Sequence, residues 1–258
     1  MKYLLFTATA ISLLLSSCSI KEQRDQCPTW ITFDFRGDST RVGNIHYILG
    51  YGNGAVIHDT IPSEHTDSLY EIAVPRGEVN IGIFANIRSM LYANGFVTPA
   101  GNCADTLYTQ FTNTSFMNDY DTLEVSLHKD YIATYIKVME YPPERGMELK
   151  ITSSSIGREL DGSIISGNFI HSPSPYHIPT TEEPYYCYYS QITRQGKNDL
   201  TLNLSGFTIE MESILQENGI DMDAPSLKDL YLTIDYSKLT LTISVKGFES
   251  KEYIEIIL

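Results

Sequence analysis

The segment Val79-Asn80-Ile81-Gly82-Ile83-Phe84-Ala85 places an apolar side chain at every second position. Side chains two residues apart lie on the same face of a β-strand. The four odd-numbered residues would therefore pack inward together, and Asn80 and Gly82 would face the other way. This period of two predicts a strand with one face against a core.

The same short alternation recurs along most of the chain, and turn residues separate the runs. Examples of such turns are Gly50-Tyr51-Gly52-Asn53-Gly54 and Pro75-Arg76-Gly77, whose glycines and prolines suit tight bends. Strands are predicted over Trp30–Phe35, Ile45–Leu49, Leu69–Val74, Val79–Ala85, Leu123–Leu127, Tyr131–Met139, Met147–Ile151, Leu200–Leu204, Leu230–Ile234, Leu239–Val245 and Tyr253–Leu258. Helical periodicity is almost confined to Glu210–Asn218, so the fold class is all-β.

A pair of prolines divides the strand pattern into two halves. Pro142 and Pro143 stiffen the backbone and donate no hydrogen bonds, which suits a joint between domains better than a central strand. An edge strand containing Pro142 is the alternative. Two tandem β-sandwich domains are predicted, over residues 29–140 and 141–258.

The amino terminus has the pattern of an export signal followed by a lipidation site. Lys2 precedes an apolar run from Tyr3 to Leu15, which is shorter than a membrane-spanning helix needs, and the run ends in Leu15-Ser16-Ser17-Cys18. Residues 1–17 are predicted to be cleaved, Cys18 to receive diacylglycerol, and residues 18–28 to form a tether. An ordinary secretory signal that happens to precede a cysteine is the alternative.

Lipid on Cys18 would hold the mature chain at a membrane without any contact from the fold. Ser19 follows the lipidated residue where an aspartate would signal retention in the inner membrane. The expected location is therefore the cell outer membrane, with the protein exposed at the surface.

Composition argues against nucleic acid as a partner. The formal net charge is −14, and loss of Lys2 with the signal makes it one unit more negative. Such a surface repels phosphate backbones.

Three internal cysteines reach an oxidising compartment, where disulfides persist. A bridge between Cys27 and Cys103 is one possibility, and three free thiols, including Cys187, are the other.

Neither a catalytic motif nor a metal-ligand spacing occurs in the sequence, which indicates a protein without enzymatic activity, cofactor or metal. Asp221 and Asp223 form a weak oxygen cluster that calcium could use, and the favoured interpretation is a solvated acidic turn. The single tryptophan, Trp30, lies in the first strand, where packing in the core accounts for it.

Tyr185, Tyr186, Tyr188 and Tyr189 follow a segment with four prolines between Ser172 and Pro184. This segment is predicted to be a loop. The tyrosines beside it are a possible partner or ligand surface, and the alternative is that they pack across the two faces of a sheet.

Several motifs together resemble the fimbrillin-associated anchor proteins of Bacteroidota type V fimbriae. They are the lipidation signal, Cys27-Pro28 before the strand at Trp30–Phe35, Val74-Pro75-Arg76-Gly77 before Ile81–Asn86, and Leu123–Leu127 followed by Tyr131–Val138. The resemblance covers most of the mature chain.

The resemblance implies two transthyretin-like β-sandwiches, no enzyme activity, and a position at the base of a fimbria, where the protein is an anchor or accessory subunit in cell adhesion. Its expected partners are fimbrial shaft subunits, which grow by inserting a strand of one subunit into an open sheet of the next. A glycan-binding surface lipoprotein of a nutrient importer is the alternative from another class, although one tryptophan is few for such a role.

Overall fold

The computed structural model describes residues 27–38, 43–142, 146–197, 199–225, 227–246 and 251–257. About 54% of the chain is strand and 4% is helix, which confirms the all-β prediction. Within the described residues the regular elements are strands β1 to β19, one 3-10 turn at Ser63–His65 and one short helix, α1, at Glu212–Glu217. The predicted helix is thus confirmed in position and is shorter than expected.

Two sheets with a shared core form the first sandwich. Its smaller sheet has the order β4-β1-β9, with β1 antiparallel to β4 and parallel to β9. Its larger sheet has the order β10-β8-β5-β2-β3. The strands are β1 (Thr29–Asp34), β2 (Ile45–Tyr51), β3 (Val56–Ile61), β4 (Leu69–Val74), β5 (Gly77–Ala85), β8 (Tyr108–Phe116), β9 (Tyr120–Glu124) and β10 (His128–Lys129).

In β5 the side chains that the sequence predicts to pack inward do so, but the opposite face of the strand also carries a buried side chain. Val79, Ile81, Ile83 and Ala85 are buried in the core of the first sandwich. Phe84 on the opposite face is also buried, in a second apolar cluster. Strand β5 therefore separates two cores.

Two further sheets with a core of their own form the second sandwich. One has the order β14-β11-β17-β18-β19, and the other has the order β16-β15-β12-β7-β6, with β13 paired to β12. The strands are β6 (Met90–Tyr92), β7 (Gly95–Val97), β11 (Tyr131–Met139), β12 (Leu149–Glu159), β13 (Ile164–His171), β14 (Tyr185–Thr193), β15 (Thr201–Leu204), β16 (Phe207–Glu210), β17 (Asp229–Asp235), β18 (Thr240–Lys246) and β19 (Lys251–Ile257).

The hairpin β6–β7 comes from the first half of the sequence and pairs with β12 of the second half. The chain after it continues along the second sandwich: Thr98 donates to Ile156, Gly101 donates to Ile170 and Ala104 donates to Gln191, all through backbone amides. Residues 90–104 are therefore a strap that joins the first half of the chain to three strands of the second sandwich.

A small apolar cluster, called here the junction core, lies where the two sandwiches meet. It consists of Ile48, Phe84, Phe96, Leu107 and Leu160, all buried. Glycines make room for it: a Cβ at Gly82 would lie 2.7 Å from the Leu160 side chain, and one at Gly50 would lie 2.9 Å from it. Because the junction is apolar and packed, the sandwiches contact each other through more than a linker.

The signal segment, Cys18 and the tether up to residue 26 lie outside the described residues. Among the helices that the structure does describe, none is long and apolar enough to span a membrane. The domain limits 29–140 and 141–258 stay a prediction, as does the transthyretin-like character of each sandwich.

Candidate interaction surface on the second sandwich

Strand β14 carries the tyrosine run, and alternation divides the run between two environments. Tyr186 and Tyr188 point inward and are buried in the second core, where the Tyr188 hydroxyl donates to the carbonyl of Met147 at 3.0 Å. The surface prediction is therefore wrong for these two residues. Tyr185 and Tyr189 lie on the outer face, so only they remain as candidate contact residues.

Three tyrosines from neighbouring strands form a row on this outer face, called here the tyrosine ladder. The strand register aligns Tyr189 of β14 with Tyr135 of β11, and Tyr135 with Tyr231 of β17. Ring centroids are 5.0 Å apart for Tyr189 and Tyr135, and 4.6 Å apart for Tyr135 and Tyr231, which are nearly parallel at 6°. This spacing matches the distance between adjacent strands, so the three rings form a continuous aromatic row on the outer face of the sheet.

Two hydroxyls of the ladder, those of Tyr189 and Tyr231, have a raised pKa. Burial, followed by the influence of Tyr135 and Cys103, raises the pKa of Tyr189 to about 12. Burial also raises the pKa of Tyr231. The ladder therefore offers neutral hydrogen-bond donors above an aromatic base, and Lys137 adds a positive charge 3.8 Å from the centroid of the Tyr185 ring.

The outer edge of β14 is covered in two places by other segments. Residues 172–184, called here the covering loop, fold back so that the Tyr176 amide donates to the Cys187 carbonyl at 2.9 Å and the Cys187 amide donates to the His177 carbonyl at 3.1 Å. The His177 ring stacks on Tyr185 with centroids 4.5 Å apart. Tyr176 and Ile178 are exposed, so this cover is held by few contacts.

The strap forms the second cover, further along β14. Ala104 donates to the Gln191 carbonyl at 2.9 Å, and the Gln191 amide contacts the Cys103 sulfur at the same distance. Strand residues two apart point their backbone groups the same way, so Tyr189, between Cys187 and Gln191, also presents its amide and carbonyl to the outer edge. Among the described residues none pairs with the Tyr189 backbone on this edge, so one open hydrogen-bonding position separates the two covers.

No disulfide links the cysteines that the structure describes, since Cys27, Cys103 and Cys187 are all free. Cys27 precedes β1 in the first sandwich, whereas Cys103 packs against β14 of the second, which is why the possible Cys27–Cys103 bridge is not formed. Burial raises the pKa of the Cys103 thiol, so it is a poor nucleophile.

A buried charge cluster near the junction was not apparent from the sequence. Asp130 is 1% exposed and its Oδ1 accepts from Arg158 at 2.9 Å and from Arg194 at 2.7 Å. Arg194 also donates to the carbonyls of Asp223 and Ala224. Most donors of Arg194 are thereby used within the protein, which indicates a structural role.

The described residues contain no group of three or more His, Cys, Asp or Glu side chains arranged to hold a metal ion. Asp221 and Asp223 form a local turn in which the Asp223 amide donates to the Asp221 carboxylate at 2.8 Å. This geometry is that of the acidic turn given as the alternative to a calcium site.

No protein-family model matches the sequence, and a search of curated proteins found no match. Solved structures do match. The fimbrial anchor protein Mfa2 from Porphyromonas gingivalis is 11% identical, with a TM-score of 0.62 over 86% of this chain and 98% of that one.

Two other solved structures are similar over nearly their whole length. A Bacteroides thetaiotaomicron protein named for polysaccharide binding is 16% identical, with a TM-score of 0.62 over 90% of this chain and 98% of that one. A Bacteroides ovatus protein named as an adhesin is 9% identical, with a TM-score of 0.58 over 92% and 97%. The chain therefore has the fold of the Bacteroidota fimbrial anchor and adhesin proteins, as its sequence motifs predict.

Proposed function

We propose that this protein is an anchor or accessory subunit of a type V fimbria, held at the outer membrane by lipid on Cys18 and joined to a shaft subunit by β-strand addition. The observation that carries the proposal is the match to a fimbrial anchor protein over 86% of this chain and 98% of the other. Both sandwiches take part in a match of that extent, so the likeness concerns the whole assembly unit and not one common module.

Strand β14 offers the edge for such a join. It is nine residues long and pairs with β11 on its inner side. Its outer side has one open hydrogen-bonding position, at Tyr189, among the described residues. Next to it lies the covering loop, which three backbone hydrogen bonds to Cys187 and one ring stack retain. A partner strand would displace the covering loop and pair with β14 over several residues, because backbone groups along an exposed edge accept a strand of any compatible sequence.

The experiment is an affinity purification from gently solubilised outer membranes, using the full-length chain with a carboxy-terminal tag. We expect fimbrial subunits to copurify as a heat-labile ladder of high mass. Cys18→Ala is the matched control and should move the protein out of the membrane fraction. Recovery of a transporter in place of a ladder would contradict the fimbrial proposal, and unchanged membrane attachment of Cys18→Ala would contradict the lipid anchor.

Glycan binding is the second candidate function, and the tyrosine ladder is the observation that favours it. Aromatic rings and neutral hydroxyls in one row suit a sugar, and one structural neighbour is named for polysaccharide binding. Binding of the purified mature chain to a polysaccharide panel tests it. Tyr189→Ala should abolish that binding, whereas Tyr176→Ala, which alters an exposed tyrosine outside the ladder, should leave it intact.

A further inference from the structure

Trp30 does not pack in a core, contrary to the sequence-based expectation. It lies on the outer face of the sheet β4-β1-β9 and is 43% exposed. The strand register aligns it with Ala73 on one side and with Tyr120, which is 72% exposed, on the other. Met117, 66% exposed, precedes Tyr120 in the turn before β9. These four residues are called here the entry patch, because β1 is the first strand after the tether.

The face that carries the entry patch changes character along the strands. The next outward row consists of Glu71, Thr32 and Thr122, and the row after that consists of Leu69, Asp34 and Glu124. The face is thus apolar where the chain enters the fold and becomes polar and acidic away from that end. Such a gradient suits a surface that touches lipid at one end and water at the other.

Arg76 holds the segments that build the entry patch. Its guanidinium donates to the Cys27 carbonyl at 3.1 Å, to the Met117 carbonyl and to the Asp119 carboxylate. The Trp30 amide donates to the Asp119 carbonyl at 3.0 Å. The start of the fold and the turn before β9 are therefore fixed to each other, which gives the Val74-Pro75-Arg76-Gly77 motif a physical role.

The tether limits how far this patch can be from a membrane. Nine residue steps separate Cys18 from Cys27, and a fully extended chain of that length spans about 30 Å. Trp30 and Tyr120 are the side-chain types that favour the boundary between headgroups and acyl chains. We propose that the entry patch rests on the headgroup region of the membrane that holds Cys18, so that the protein has a fixed orientation at the surface. This inference depends on the lipid anchor of the proposed function.

Trp30 is the only tryptophan in the chain, so the tryptophan fluorescence of the protein comes from this residue alone and reports its environment. The test uses the mature chain from Ser19, with a polyhistidine tag at its amino terminus, bound to vesicles of phosphatidylethanolamine and phosphatidylglycerol that contain a nickel-chelating lipid. We expect the Trp30 emission to shift to shorter wavelength on binding and to be quenched when the acyl chains are brominated. Equal emission with brominated and unbrominated lipid would overturn the inference.

A variant and a matched control distinguish membrane binding through the entry patch from non-specific adsorption to the vesicles. Replacing both Met117 and Tyr120 with serine removes apolar area beside Trp30 and should lower partition of the untagged chain onto the same vesicles about tenfold. Leu69→Ser is the control, because Leu69 is also 43% exposed on the same sheet face but lies in its acidic row. Equal partition of the two variants would contradict the proposal.

The lipid on Cys18 is tested by a separate measurement, whose result does not depend on the entry patch. Mass spectrometry of membrane-derived protein that shows no acyl chains on Cys18 would remove the anchor from the proposed function. The chelated tag replaces that anchor in the vesicle experiment, so Trp30 quenching is measured independently of lipidation.

Discussion

Locking the covering loop onto β14 should prevent the protein from capturing a shaft subunit. His177 and Cys187 form a bridge in which each backbone bonds to the other. Paired residues of this kind have Cα atoms about 5.5 Å apart, within the range that a disulfide accepts. His177→Cys therefore places a new thiol opposite the native thiol of Cys187, and oxidation should close the loop covalently.

The size of the effect follows from the contacts that hold the covering loop. Three backbone hydrogen bonds to Cys187 contribute about 1 kcal/mol each, and the stack of His177 on Tyr185 contributes about 1 kcal/mol more. The contact of His177 Nε2 with the Glu183 carboxylate, at 3.7 Å, joins two residues of the covering loop and does not hold the loop to β14. A total of about 4 kcal/mol leaves the loop open in roughly 1 molecule in 900. A partner strand would bind that open form.

Two variants then move capture in opposite directions. Oxidised His177→Cys should recover almost no ladder, and reduction should raise recovery to the level of His177→Ala, because both variants lack the stack of His177 on Tyr185. His177→Ala removes the ring stack and should raise the open population, and with it recovery at limiting bait, about fivefold. His177→Cys combined with Cys187→Ser cannot form the disulfide and is the matched control. Undiminished capture by the locked form would refute β14 as the joining edge.

Three other changes test the structure itself. Leu160→Ala should lower the free energy of unfolding by about 2–5 kcal/mol in urea titrations, because it leaves a cavity in the junction core. Gly157→Ala should detach β7, since its Cβ would lie 1.9 Å from the Phe96 carbonyl oxygen, and lose far more stability than Gly52→Ala, whose Cβ meets nothing within 4 Å. Burial lowers the pKa of His171 below its ordinary 6.5, so the unfolded chain binds more protons and stability should fall as pH decreases below 6.5. His171→Gln should weaken that pH dependence.

The sequence predicted strands best where buried and exposed residues alternate without interruption. Strands β4 and β11 have the predicted limits, Leu69–Val74 and Tyr131–Met139. Strand β8, at Tyr108–Phe116, was not predicted, because it is rich in Thr, Gln and Asn and pairs along its whole length with β5. Pairing with a neighbour decides such a strand, and its own period does not reveal it.

The sequence predicted only part of the candidate surface. Alternation gives the two faces of β14 but not which face is buried, so Tyr186 and Tyr188 could not be separated from Tyr185 and Tyr189. Tyr135 and Tyr231 complete the ladder only through the sheet order, which brings together residues distant in sequence. Trp30 was misplaced for a related reason: its strand has two faces, and residue type alone favoured the wrong one.

The cluster around Asp130 explains how a join at β14 could be coupled to an anchor at the other sandwich. Asp130 lies between β10 of the first sandwich and β11 of the second, and its amide donates to the Leu107 carbonyl at 2.9 Å. Its carboxylate accepts from Arg158 near the end of β12 and from Arg194 directly after β14. A buried carboxylate with two arginine partners is costly to separate, because removing any partner leaves uncompensated charge in the interior. Tension applied to β14 would therefore reach the first sandwich through Asp130, the strap and the junction core together, and not through the chain between β10 and β11 alone.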